Sequence, residues 1–180
     1  MQRPSFKDLE EKLQYHFQNP QYLITAMTHS SYANEVKSGG HSNERLEFLG
    51  DSVLSIVVAD YLFKHCPNLP EGELTKNRAA LVCEKALCGF SRQLGLGEYL
   101  LLSRGEQNSG GRQRSSILAD AFEALIAAIY LDAGLEKARE FILRFVLPVL
   151  QPPGPKRLRI IKPLCRRSSS RIPKSSSSMC

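Results

Sequence analysis

Apolar positions in the first 150 residues recur every three to four places and almost nowhere every two. That is the period of a helix rather than of a strand, so the chain reads as all-α. Phe6, Leu9, Leu13 and Phe17 form the stripe of a first amphipathic helix. Asn19-Pro20 places an N-cap before a proline at the first helical position and opens a second helix, "PQYLITAMTHSSYA". The polar run "NEVKSGGHS" reads as a loop. Ser42 or Asn43 then caps a long helix, "ERLEFLGDSVLSIVVADYLFKHC", which Pro67 stops. From Val53 to Leu62 that helix is apolar on nearly every side, which predicts a central, buried element. "NLPEGE" reads as a turn, and "LTKNRAALVCEKALCGFSRQLG" as one helix closed by Gly95. "RGEQNSGGRQR" has the composition of a flexible loop. Ser115 or Ser116 caps "SILADAFEALIAAIYLDAG", and Gly134 closes it. A last helix sets Leu135, Ala138, Ile142, Phe145 and Val149 on one stripe.

From Gln151 the pattern stops. Residues 151–180 are rich in Pro, Ser and Arg, a composition that cannot offset ordering entropy, and they read as a disordered basic tail. The expected organisation is one domain over residues 1–150 followed by that tail. Charge follows the same division. Of 24 Lys and Arg, eight fall in the tail, so residues 1–150 hold 16 against 18 acids, a net charge of −2. The overall +6 belongs to the tail, and nucleic-acid binding by the domain must rest on local patches. No apolar run is long enough for a membrane span, and "MQRPSFKDLEEK" is too polar for a secretory signal. Cysteines 66, 83, 88, 165 and 180 show no metal spacing, which fits reduced thiols and a cytoplasmic location.

The candidate chemistry lies in two apolar stretches. Glu47 and Asp51 stand four residues apart in "NERLEFLGDS", and Asp120 and Glu123 stand three apart in "ILADAFEALIAAIY". Such spacing puts each pair on one helix face, about 6 Å apart. Arg45 points roughly 160–200° away from Glu47 and interleaves no base. Half-buried like charges are costly unless neutralised, and a hard divalent ion is the natural neutraliser for an all-oxygen set, Mg²⁺ with Mn²⁺ as substitute. A single acid pair is ordinarily a solvated face; two pairs set among apolar residues favour a site.

Four stretches together resemble the ribonuclease III family: "HSNERLEFLGDSVL", "GGRQRSSILADAFEALIAAIYLD", Thr28-His29 in "AMTHSSYANE", and "LPEGELTKNRAALV". They occur in the family's order, over about residues 5–150. The resemblance implies the ribonuclease III endonuclease-domain helical fold, a homodimer, and Mg²⁺-dependent cleavage of double-stranded RNA in ribosomal- and messenger-RNA processing. Products would carry 5′-phosphate and 3′-hydroxyl ends with short 3′ overhangs. It implies Glu47, Asp51, Asp120 and Glu123 as metal-binding acids, with Asp51 and Glu123 most tied to catalysis. Glu44 and Glu71 match supporting acids near the cleavage centre. Gly50 marks a close approach of another backbone or of the partner subunit.

Candidate RNA contacts are Lys76 and Arg78 at one helix start, and Arg104, Asn108, Arg112, Gln113 and Arg114 in the Gly-rich loop, with Ser109 beside them. Thr28 and His29 read as scaffold. Bacterial members of the family carry a double-stranded RNA-binding domain after the nuclease domain, and the 30 residues after Leu150 are expected to be too few, and of the wrong composition, to form one. The tail is a short natural ending, a basic arm, or a reading-frame accident, the last favoured by its abrupt change of composition. A non-catalytic scaffold role is the alternative reading, and the intact acids argue against it.

Overall fold

The structure is a computed structural model, and it describes residues 5–36 and 41–150. Within them the chain is helical: α1 (Phe6–Leu13), α2 (Pro20–Ala26), α3 (Ser30–Val36), α4 (Glu44–His65), α5 (Glu71–Leu81), α6 (Glu84–Leu94), α7 (Leu96–Tyr99), α8 (Arg104–Asn108), a 3₁₀ turn (Gly111–Gln113) and α9 (Ser115–Leu150). The expectations for the tail lie outside the described residues.

The spine is α4 packed against α9, and α6 packs against α9 as well. The first half of α9 is buried nearly all round: Ala121, Phe122, Ala124, Leu125, Ile126, Ala127 and Ala128 are 0–1% exposed. Small residues there let neighbouring helices approach closely. Phe122 anchors an aromatic group with Phe90, Phe141 and Phe145, whose ring centroids lie 5.4–5.6 Å from its own. Several boundaries match the sequence reading. Asn19 caps α2 through its side chain, accepting from the Gln21 N–H, with Pro20 at N1. Gly95 ends α6 in the left-handed region (φ 70°), and Gly134 (φ 82°, ψ 179°) breaks α9 where the helix was expected to close.

Other boundaries differ, each for a tertiary reason. Residues 20–33 are not one helix. The Leu101 N–H donates to the Met27 carbonyl (2.8 Å) and the His29 N–H to the Leu101 carbonyl (3.1 Å), pairing Thr28 with Leu101 and splitting α2 from α3. The expected helix over residues 74–95 divides at Val82-Cys83, where Cys83 is extended (φ −77°, ψ 153°), and α5 starts earlier, at Glu71. α1 ends at Gln14 in the left-handed region (φ 55°), so Phe17 is buried from beyond the helix. In the last helix Leu135 and Val149 are both 42% exposed, and the buried face comprises Ala138, Phe141, Ile142, Phe145, Val146 and Leu150. α4 is not buried throughout either: Phe48, Ile56 and Phe63 form an exposed apolar stripe, 58–78% accessible.

Candidate active site

The two acid pairs meet across the α4–α9 contact. Gly50 lies between Glu47 and Asp51, and a Cβ built there would stand 1.9 Å from the Glu123 carbonyl oxygen. The missing side chain therefore seats the α4 backbone directly on the α9 backbone at the level of the acids. One carboxylate oxygen each from Glu47, Asp120 and Glu123 falls within 4.8 Å of the others, and all three residues are half-buried. Asp51, one turn beyond Glu47, is exposed and stands outside that triangle.

Electrostatics follow from this crowding. Burial, then the charges of Asp51, Glu47 and Asp120, push the Glu123 carboxyl up to about 8. Burial, then Asp120, Glu44 and Asp51, raise Glu47. Burial raises Asp120, while the His29 ring pulls it back and Glu84 pushes it up. Three carboxyls held toward their neutral forms gain most from a cation. A hard divalent ion with bonds of about 2.1 Å spans oxygens about 4 Å apart, so small side-chain rotations bring this all-oxygen set to fit.

Glu44, one turn before Glu47, is exposed and accepts a hydrogen bond from Ser42 Oγ at 2.9 Å. Glu71 is not brought to the cluster within one chain. It accepts from Thr75 Oγ1 and lines a groove of about 380 Å³ with Ile56, Leu62, Phe63, Leu74 and Arg78. That groove lies about 14–24 Å along α4 from Glu47, at 1.5 Å per residue.

The Gly-rich segment is not a bare loop. Arg112 turns inward: its Nη1 donates to the carbonyls of Gly97 (2.7 Å) and Leu100 (2.9 Å), and its Nη2 to Gln107 Oε1 (3.1 Å). This clamp orders α8 and the 3₁₀ turn. Arg112 is half-buried and serves the fold rather than an outer surface. Arg114 pairs with Glu106, and Lys76 with Glu73 at 2.8 Å. Arg104, Asn108, Gln113 and Arg78 are exposed. The Arg104 N–H donates to Glu35 Oε2 at 3.0 Å, fixing where its side chain starts.

Asn43 holds the N-cap position of α4 without capping it through its side chain. Its backbone is helical (φ −74°, ψ −9°), the residue is buried, and its Nδ2 has no hydrogen-bond partner. Sequence reasoning gave Glu84 no role, because it opens a helix the sequence reads as continuous. His29 reads as scaffold in the sequence, yet it pulls the Asp120 carboxyl down.

The family described as Ribonuclease-III-like matches residues 19–150. "Ribonuclease 3" of Clostridium tetani is 56% identical over 138 residues, covering 77% of this chain and 58% of that protein. "Ribonuclease 3" of a Geobacillus strain is 50% identical over 147 residues, 81% of this chain and 60% of that protein. The chain thus spans about three-fifths of the length of these relatives. The solved nuclease domain of ribonuclease III from Campylobacter jejuni, described as structurally flexible in a region involved in dimer formation, superposes with a TM-score of 0.74 at 45% identity. It covers 79% of this chain and 96% of the solved one. Dicer from Giardia intestinalis shares the fold, with a TM-score of 0.53 at 24% identity over 79% of this chain and 22% of that one.

Proposed function

The chain belongs to the ribonuclease III family, and on that premise we propose that residues 1–150 are a divalent-metal-dependent endonuclease that cuts double-stranded RNA. One observation carries the reading: three half-buried carboxylates from two helices converge where Gly50 locks those helices together. Glu47, Asp51, Asp120 and Glu123 hold Mg²⁺, with Mn²⁺ as substitute, and Asp51 and Glu123 are the residues most tied to turnover. The ion supplies Lewis-acid stabilisation of the phosphate and of the attacking water. The protein's part is to hold the acids in a small, partly dry site. Glu123, raised to about 8, is the carboxyl that would gain most from a bound cation, which would favour its charged form. Arg104, Asn108, Gln113 and Arg114 grip the duplex from one side and Lys76 and Arg78 from another, mainly through phosphates and 2′-hydroxyls. Arg112 contributes indirectly, by shaping that segment. Products carry 5′-phosphate and 3′-hydroxyl ends with short 3′ overhangs, and the substrates are cytoplasmic ribosomal- and messenger-RNA precursors.

Two copies cut two strands. Phe48 is 78% exposed and Phe63 74%, with Ile56 midway between them along α4. A two-fold axis near Ile56 places Phe48 against the groove beside Phe63 of the partner subunit, burying both. The same pairing brings Glu71 of the partner subunit toward the Glu47 end of α4, which gives that acid the supporting place its own chain does not provide. No helix among the described residues is long and apolar enough to cross a membrane. The test is cleavage of a long duplex RNA in Mg²⁺ by the wild-type chain, Asp51→Ala and Glu123→Gln. We expect cleavage by the wild type alone; equal activity in all three refutes the site.

A further inference from the structure

None of the seven residues of α3 is buried, and none packs against the hydrophobic core. The helix contributes hydrogen bonds instead, and they go to the start of α8. Backbone pairing with Leu101 stops at His29, and side chains of α3 then take over. The Ser103 N–H donates to Ser31 Oγ at 3.1 Å, and the Arg104 N–H to Glu35 Oε2 at 3.0 Å. Ser31 and Glu35 stand four residues apart, on one face of α3. They meet two consecutive donors at the N-terminus of α8, where N–H groups have no partner inside the helix.

The Ser31 hydroxyl is itself aimed. The Ser31 N–H donates to His29 Nδ1 at 3.2 Å, so that nitrogen is an acceptor. Ser31 Oγ, 2.9 Å from the same nitrogen, donates its hydrogen there and keeps its lone pairs for the Ser103 N–H. Ser103 in turn caps α8, its hydroxyl accepting from the Glu106 N–H at 3.1 Å.

α8 has five residues, too few to hold a helix by propagation alone. Its far end is held by Arg112, through Gln107 Oε1 at 3.1 Å. Its near end is held by Ser31 and Glu35. Between these anchors Arg104 and Asn108, four apart and both exposed, share one outward face.

We propose that Ser31 and Glu35 are positioning residues for RNA binding: α3 fixes the entry of α8 and so aims Arg104 and Asn108 at the duplex. The proposal rests on reading α8 as an RNA-contact segment. Glu35 makes no contact with RNA, and its charge opposes binding. An exposed carboxylate beside phosphate contacts weakens them by repulsion, so on charge alone its removal tightens the complex. Positioning predicts the opposite sign for alanine.

The test is KM and kcat for duplex-RNA cleavage in Mg²⁺, with Tm, for the full chain as wild type, Glu35→Ala, Glu35→Gln, Ser31→Ala and Arg104→Ala. Glutamine keeps an acceptor for the Arg104 N–H and drops the charge. We expect Glu35→Ala and Ser31→Ala each to raise KM roughly 3- to 10-fold, the worth of one hydrogen bond, with kcat and Tm at wild-type values. Glu35→Gln should show a KM at or below that of the wild type. A Glu35→Ala KM at or below wild type while Arg104→Ala raises it overturns the proposal and leaves the RNA reading of α8 standing. Equal rises in Glu35→Ala and Glu35→Gln, or a fall in kcat and Tm alongside KM, do the same. A wild-type KM in Arg104→Ala, or a wild-type chain that cuts no duplex, overturns the RNA reading and this proposal with it.

Discussion

Gly50→Ala is the sharpest perturbation of this site, because it adds one methyl group and no charge. The new Cβ would lie 1.9 Å from the Glu123 carbonyl oxygen, and real Cβ contacts essentially never close below 3.0 Å, so α4 and α9 must part by at least 1.1 Å. Neither side can yield locally. The obstacle is backbone, and the flanking Ala121, Phe122, Ala124 and Leu125 are 0–1% exposed. Two consequences follow. Overpacking of this kind costs about 1–3 kcal/mol, which in a chain of this size lowers Tm by roughly 3–10 °C. The same displacement carries Glu47 away from Asp120 and Glu123, stretching a 4.8 Å triangle that must contract to hold an ion. A misplacement of about 1 Å at reacting groups costs on the order of 100-fold in rate. Calorimetry with and without Mg²⁺, alongside cleavage of duplex RNA, measures both effects. The expected result is a lower Tm, no further rise on adding Mg²⁺, and cleavage down about 100-fold. Gly89→Ala is the control: nothing lies within 4 Å of its added Cβ, and a better helix former there leaves Tm equal or slightly higher. Wild-type melting and cleavage in Gly50→Ala would show that α4 and α9 do not pack as described.

Three further outcomes follow from other parts of the structure. A carboxyl raised to about 8 favours its neutral form in the fold, so its contribution is full below the ordinary Glu range and is lost as pH rises to about 8; the metal-free chain should melt at falling temperatures from pH 5 to 8, and an equally steep decline in Glu123→Gln would count against this. If the stripe is the dimer face, Phe48→Glu, which puts a charge on it, should scatter light as a folded monomer while the wild type scatters as a dimer; equal masses for the two would count against the proposed pairing. Arg112→Ala should lower Tm by removing the clamp on Gly97, Leu100 and Gln107, whereas Arg104→Ala should weaken RNA binding and its salt dependence with Tm unchanged; the reverse pattern would exchange their roles.

The acid pairs were legible because they depend on helical period alone: three- and four-residue spacing fixes a shared face whatever the tertiary fold. Asn19-Pro20, Gly95 and Gly134 were legible for a similar reason, since each acts within one turn of chain. What escaped was set by distant partners. No local signal at Met27–His29 announces that Leu101, more than 70 residues away, takes their backbone bonds. The Gly-rich segment looked flexible because its clamp, Arg112, is spent on carbonyls 12–15 residues back. Gly50 could be read as meeting another helix of its own chain or a partner; Glu123 decides for the former. His29 looked inert because the acid it bears on belongs to α9, 91 positions away.

Most helices in a small domain keep a face on which substitutions are free. α4 has almost none. Leu46, Gly50, Val53, Leu54, Val57, Val58 and Leu62 face the core, Glu47 and Asp51 face the acid site, and Phe48, Ile56 and Phe63 line the stripe. A saturating mutational scan should therefore show tolerance along α6 rising and falling with the helical turn, and along α4 low tolerance broken only at isolated positions such as Arg45 and Ser52. Along such a segment most substitutions disturb packing, the acid site or the stripe, whichever side of the helix they fall on.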